Sequence, residues 1–155
     1  MYTKYGVLRK GKNYAPAIRS RGPQGQTATR AIHFINGDSQ ILLYTGSDLF
    51  RFATSGQSAG SVFADNPAAA DKALGSYEVS AGGDRLVAGF KGEGNVATVL
   101  HLPLAGEGAA ASIDFQKVSG VSGHFAPDSG RILVCQTQFS GSTITGAAIA
   151  YWNLA

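Results

Sequence analysis

AIHFINGDSQILLYTG from Ala31, YEVSAGGDRLVAGFKG from Tyr77 and GHFAPDSGRILVCQTQ from Gly123 are three versions of one pattern. Each reads as a short apolar strand, a Gly/Asp-rich turn and a second apolar strand. The anchors keep their distance: Ile41 to Leu86 is 45 residues and Leu86 to Ile132 is 46, while Phe34 to Val79 is 45 and Val79 to Phe125 is 46. A third strand follows each pair, DLFRF from Asp48, ATVLHLPL from Ala97 and AAIAYWNL from Ala147. A fourth is expected in two repeats, SVFAD from Ser61 and SIDFQK from Ser112. Val, Ile, Phe and Tyr suit half-buried pleated strands, and NGD, GGD and PDSG suit the turns between them. The period predicts an all-β body of three four-stranded, propeller-like blades, 31–76, 77–122 and 123–155. One helix is expected after Phe63, with Asn66 as its cap, Pro67 at its first position, AAADKAL as its body and Gly75 as its stop.

Composition agrees with this outline. Glycine supplies 21 of 155 residues, about twice the usual share, and a chain of short strands needs many tight turns. Charged residues make up only 15%. No apolar run approaches the ~20 residues of a membrane span, and no signal-like apolar core follows Met1, so a cytoplasmic or virion setting without membrane contact is expected. A single cysteine, Cys135, excludes an internal disulfide framework and any multi-cysteine zinc site. Within the strand RILVC it is expected to be buried and inert.

The net charge of +3 hides an asymmetry. Residues 1–30 carry seven Lys or Arg and no acid, so residues 31–155 carry 13 − 7 = 6 bases against 10 acids, a net of −4. A basic arm ending at the linker-like Gly22-Pro23-Gln24-Gly25-Gln26 thus precedes an acidic body. The arm suits an acidic surface on a neighbouring subunit. Nucleic acid is the lesser candidate: Tyr2, Tyr5 and Tyr14 interleave with the bases, but the bases are sparse and no RNA-binding signature is present.

The residues of the repeats resemble the WD40-like and TolB-like β-propeller families. FAPDSGRILVC is similar to the junction between the first two strands of such blades, and AIAYWNLA to the end of the third, with Asn153 after Trp152 where the pattern has Asp. The resemblance spans residues 31–155 and implies a recognition scaffold for proteins, peptides or glycans. Three blades do not close a ring, and an open row leaves unpaired edges. The last repeat lacks a fourth strand, and the arm holds a candidate, Tyr5-Gly6-Val7-Leu8, followed by Arg9 and Lys10. The simplest expectation is a symmetric homodimer of six blades, or a higher oligomer, in which each arm completes the partner's last blade. Other subunits of a larger assembly are the alternative source of blades. A β-sandwich built from the same strands is the alternative fold.

Three constellations carry possible chemistry. Gly56-Gln57-Ser58-Ala59-Gly60 matches a nucleophile elbow, with Asp114 and His124 later in the required order, but the elbow needs a strand-to-helix turn and a strand is expected next. Gly92-Glu93-Gly94-Asn95-Val96-Ala97 matches a loose dinucleotide loop, but NVATVLHLPL after it reads as a strand, so the glycines belong to a hairpin. No P-loop is present. His33, Glu78 and His124 occupy equivalent repeat positions beside Phe34, Val79 and Phe125, and should point to the opposite side of the innermost strands. There they would line a channel, hydrogen-bonded to water or backbone, and a metal would need all three to converge. No catalytic residue, metal or cofactor is assigned. The expected function is a non-enzymatic structural or interaction protein, a component of a larger symmetric particle such as a phage virion. A lectin or peptide reader is the competing reading, with Tyr44, Phe90 and Phe139 as the nearest approach to one exposed aromatic per blade. Tyr151 and Trp152 are expected to divide between surface and core.

Overall fold

The computed structural model describes residues 31–37, 39–53, 58–105, 108–126 and 130–154; the arm, with Tyr5, Val7, Leu8, Arg9 and Lys10, lies outside the described residues. Among these described residues eleven strands run in chain order: β1 (Ala31–Ile35), β2 (Gln40–Tyr44), β3 (Leu49–Ala53), β4 (Ser58–Ser61), β5 (Ala73–Val79), β6 (Arg85–Lys91), β7 (Val96–Pro103), β8 (Ala111–Gln116), β9 (Gly120–Phe125), β10 (Arg131–Ser140) and β11 (Thr143–Asn153). They form three antiparallel meanders, β1-β2-β3-β4, β5-β6-β7-β8 and a three-stranded β9-β10-β11. The chain is all-β, with one sheet per repeat. Among the described residues no helix is long and apolar enough to cross a membrane.

The chain divides after Asp65 into two compact units. The first sheet belongs to the first unit. Its β1–β2 turn is the Asn-Gly hairpin signal realised, with Asn36 at φ 54° and Gly37 at φ 61°. Registers Phe34↔Ile41↔Phe52 and Ile32↔Leu43↔Phe50 put six apolar side chains on one face. Ile41, Leu43 and Phe52 are buried there, with Ile32, Phe34 and Phe50 packed around them.

Two sequence expectations fail at the junction of the first two repeats. The fourth strand is Ser58–Ser61, upstream of SVFAD, which instead forms turns. Pairing is decided by Asp48: its carboxylate accepts hydrogen bonds from the Leu49 N–H at 2.7 Å and the Ser61 hydroxyl at 2.9 Å, and the Val62 N–H then donates to the Leu49 carbonyl at 2.9 Å. The expected helix is absent as well. Asn66 does cap, accepting from the Ala68 N–H at 3.0 Å, but the bonds that follow are single i→i+3 turns from Ala69 to Asn66, Ala70 to Pro67 and Lys72 to Ala69. Asp71 then takes φ 56°, a left-handed conformation that ends any helix, and Ala73 enters β5.

In the second unit the two remaining sheets pack face to face, with β9 seated against β5, β6 and β7. Val87, Val99, Ile132 and Val134 form the centre, ringed by Phe115, Val121, Phe125, Trp152 and Leu154. Two glycines permit the close approach. A Cβ on Gly123 would collide with the Val87 side chain and press on Val99, and one on Gly89 would collide with the Val121 carbonyl. At the rim the Arg85 guanidinium lies 5.0 Å above the Phe125 ring, and His101 meets the same ring edge-on at 6.4 Å.

Candidate functional site

Alternation along β5 turns Glu78 towards the third sheet, and the edge strand β9 of that sheet carries His124 on its opposite, outward face. Register pairs Glu78 with Val87 and His124 with Leu133, so each side chain is set by an apolar partner on the next strand. The Glu78 carboxylate spans the gap. One oxygen lies 2.8 Å from His124 Nδ1, and the other accepts the Phe125 backbone N–H at 3.2 Å. Ser122, two residues back on the same face, places its hydroxyl 3.1 Å from His124 Nε2.

The resulting order, serine, imidazole, carboxylate, is that of a charge-relay array. Its setting is different. The His124 and Glu78 side chains are 49% and 37% exposed, on an open sheet face. Nucleophilic catalysis by such an array needs a water-excluded site with preorganised donors for the oxyanion. Here solvent reaches both members, and the carboxylate spends its second oxygen on the backbone of β9. The array is a latch between sheets.

Of the three residues at equivalent repeat positions, Glu78 and His124 therefore meet. His33 sits on β1 in the first unit, paired with Leu42, and burial holds its imidazole below the ordinary range. Among the described residues no three His, Cys, Asp or Glu side chains gather as a metal set. Ser58 lies within β4, paired with Phe52 on a sheet edge, so the elbow motif has no strand-to-helix turn around it. Gly92–Ala97 crosses from β6 to β7 through a short 3-10 turn, Glu93–Asn95, with no helix to receive a pyrophosphate.

Two polar clusters that the sequence did not announce tie the second sheet together. Lys72 Nζ donates to the Thr98 hydroxyl at 2.7 Å and the Ala68 carbonyl at 3.0 Å, and lies 3.5 Å from the Asp114 carboxylate. The buried Thr98 hydroxyl donates to Asp114 at 2.5 Å and, with the Lys72 charge, holds that carboxyl below its usual range. In the β5–β6 turn the Ser80 hydroxyl donates to the Asp84 carboxylate at 2.6 Å, lowering its pKa, and accepts the Asp84 and Arg85 N–H groups at 3.2 and 3.0 Å. The signal for this second cluster was the Ser-x-x-x-Asp spacing inside a turn already read from GGD.

The third sheet presents the most open surface. Its rows Ser122↔Cys135↔Ile149 and His124↔Leu133↔Tyr151 face away from the Val87 cluster. Ile149 is 70% exposed and Tyr151 59%, with Phe139 and Ile144 also exposed on the same hairpin. The Arg131 guanidinium covers the Tyr151 ring at 4.3 Å. Cys135 belongs to this face and is half-buried, not sealed in the core. Trp152 and Tyr151 divide as expected, Trp152 against the core cluster and Tyr151 outward. The aromatic trio does not form an exposed set: Phe90 is buried and the Tyr44 hydroxyl is tied to the Gly46 carbonyl at 3.1 Å. β11 is the edge strand, paired among the described residues with β10 alone. No family model matches the chain, and the search of curated proteins returns no match.

Proposed function

We propose that this is a non-enzymatic structural protein, a β-propeller-type module whose three sheets act as blades and which assembles with copies of itself through its N-terminal arm. In this reading the arm of one protomer pairs along β11 of another as the missing fourth strand, using Tyr5, Val7 and Leu8 as its apolar face and Arg9 and Lys10 against the acidic body. The symmetric unit so formed is a component of a larger particle such as a phage virion.

One observation carries the proposal. Among the described residues the third sheet has three strands where the first two have four, and its edge strand β11 is eleven residues long with exposed apolar side chains. Long, apolar, unpaired edges template strand addition, and soluble proteins otherwise blunt them with charge, proline or bulges. β11 has no Lys, Arg, Asp, Glu or Pro, although the β10–β11 hairpin does carry a bulge near its tip. Deleting residues 1–12 and measuring native mass tests the reading. The full chain is expected near 32 kDa, twice 16.0 kDa, and the truncated chain as monomer or aggregate. A truncated chain that remains a stable dimer overturns arm exchange.

A further inference from the structure

We infer that the groove between the turn at residues 66–68 and strand β8 is a binding site for a neutral sugar ring, held by Asp114, Ser112 and Asn66. The groove is lined by the second unit alone, and the inference goes beyond the assembly reading without depending on the arm.

The groove measures about 430 Å³, in the range of small-molecule sites. Pro67, Leu100 and Ala111 give it apolar walls, and Asn66, Ser112 and Asp114 give it polar groups. Register sets the polar row. Ser112 pairs with Leu100 and Asp114 with Thr98, so alternation turns both side chains to one face of β8, beside the buried Leu100. From the turn, Asn66 is held in place because its Oδ1 accepts the Ala68 N–H at 3.0 Å. No hydrogen bond among the described residues takes up the Asn66 Nδ2 donors or the Ser112 hydroxyl.

The charges select the class of ligand. Asp114 has one oxygen, Oδ1, clamped by the Thr98 hydroxyl and Lys72, and these donors keep its carboxyl ionised. Its other oxygen, Oδ2, takes no hydrogen bond from a described residue. Lys72 divides its three donors among Thr98, Ala68 and Asp114, so none is left for an anion, which the carboxylate also repels. A cation at Oδ2 would have to share the carboxylate with the Lys72 ammonium, only 3.5 Å from Oδ1. A neutral hydroxyl donates to Oδ2 and meets neither repulsion. Adjacent ring hydroxyls are each donor and acceptor, which suits a carboxylate, a serine hydroxyl and an amide NH₂ set side by side. The C–H face of the ring then lies against Pro67 and Ala111. With about three hydrogen bonds and no aromatic platform, the affinity belongs in the millimolar range.

Chemical-shift titration of the isotope-labelled full chain tests the site. The probes are the methyl glycosides of glucose, galactose and mannose, and N-acetylglucosamine, with methylammonium and inorganic phosphate as controls. At least one sugar is expected to give saturable shifts centred on the amides of residues 66–68 and 110–114, and the two ions none. Ser112→Ala, at an exposed position outside the Lys72 and Thr98 contacts, is expected to weaken that binding at least about threefold with the melting temperature unchanged. A disaccharide bound as well as its parent glycoside supports a reader of glycan ends, and one that is refused supports a site for the free sugar. Full affinity in Ser112→Ala overturns the site. So do shifts that are absent, or linear and spread over the surface, with all four sugars. Saturation by methylammonium in place of the sugars overturns the neutral ligand.

Discussion

Gly89 and Gly123 show how a single missing Cβ sets the spacing of two sheets. Alanine at either position overpacks the contact, at a cost of order 1–3 kcal/mol. The two differ in what must yield. At Gly123 the obstacle is a valine methyl, whereas at Gly89 it is the Val121 backbone carbonyl, held by its own strand. Gly89→Ala is therefore expected to be the more destabilising in chemical denaturation, and the reverse order would mean that β9 shifts as a unit. Nothing local in the sequence distinguishes these glycines from those of the turns. Their role exists only once the repeats are stacked. The Glu78–His124 latch is legible to a similar extent: the 45- and 46-residue offsets put both residues in equivalent positions, but the repeat gave no hint that one would reach across to the other. Glu78→Gln keeps an acceptor for the Phe125 N–H and alters only the solvent-exposed contact with His124, so it should cost well under ~1 kcal/mol. Glu78→Ala also abandons the N–H and should cost more. Equal losses for the two variants would put the weight on the charge.

At the scale of elements, strands whose residues prefer the pleated sheet were readable and those fixed by side-chain anchoring were not. QILLY, RLVAGFK and VATVLHLP declare themselves by composition. SAGS of β4 does not, because its place is set by the Asp48–Ser61 bond and the pairing with β3. The run AAADKAL has helical propensity and an authentic cap, yet Lys72 is drawn to Thr98 and Asp114, and the chain turns into β5. β7 also carries the group that couples its packing to pH. His101 is buried among Phe125, Arg85 and Asp84, and its Nε2 has no hydrogen-bond partner among the described residues. Burial, and then the Arg85 charge, hold it below the ordinary value of 6.5, so the unfolded chain takes up this proton more readily than the folded one. The stability it contributes is complete above about pH 6.5 and is lost as the pH falls below that. His33 adds a loss of the same sign, and Asp84 and Asp114 add theirs below about pH 3.8. Thermal unfolding followed across this range should show a stability falling towards acid, with a shallower slope near pH 6 in His101→Gln. An unchanged slope would mean that His101 gains a partner on protonation.

For the molecule as a whole, the decisive contrast is between a basic arm and an apolar edge strand. The proposed arm exchange would bring a segment of +7 against a body of −4, and attraction between separated charges is screened over about 8–10 Å at ordinary ionic strength. An arm strand laid along β11 would also cover exposed apolar side chains, and removing that surface from water is not weakened by salt. The first contribution is sensitive to salt and the second is not. In the full chain, dimerisation should weaken as salt rises from low to moderate concentration and then level off where the apolar part of the arm contact alone holds the copies together. With residues 1–12 removed, Lys4, Arg9, Lys10 and Lys12 are lost, leaving Arg19, Arg21 and Arg30 of the arm's bases. Any dimer that survives should then be largely insensitive to salt. Light scattering at several salt concentrations on both chains decides the matter. A steep salt dependence retained by the truncated chain would place the electrostatic attraction outside residues 1–12. The edge of β11 would then be filled by something other than residues 1–12.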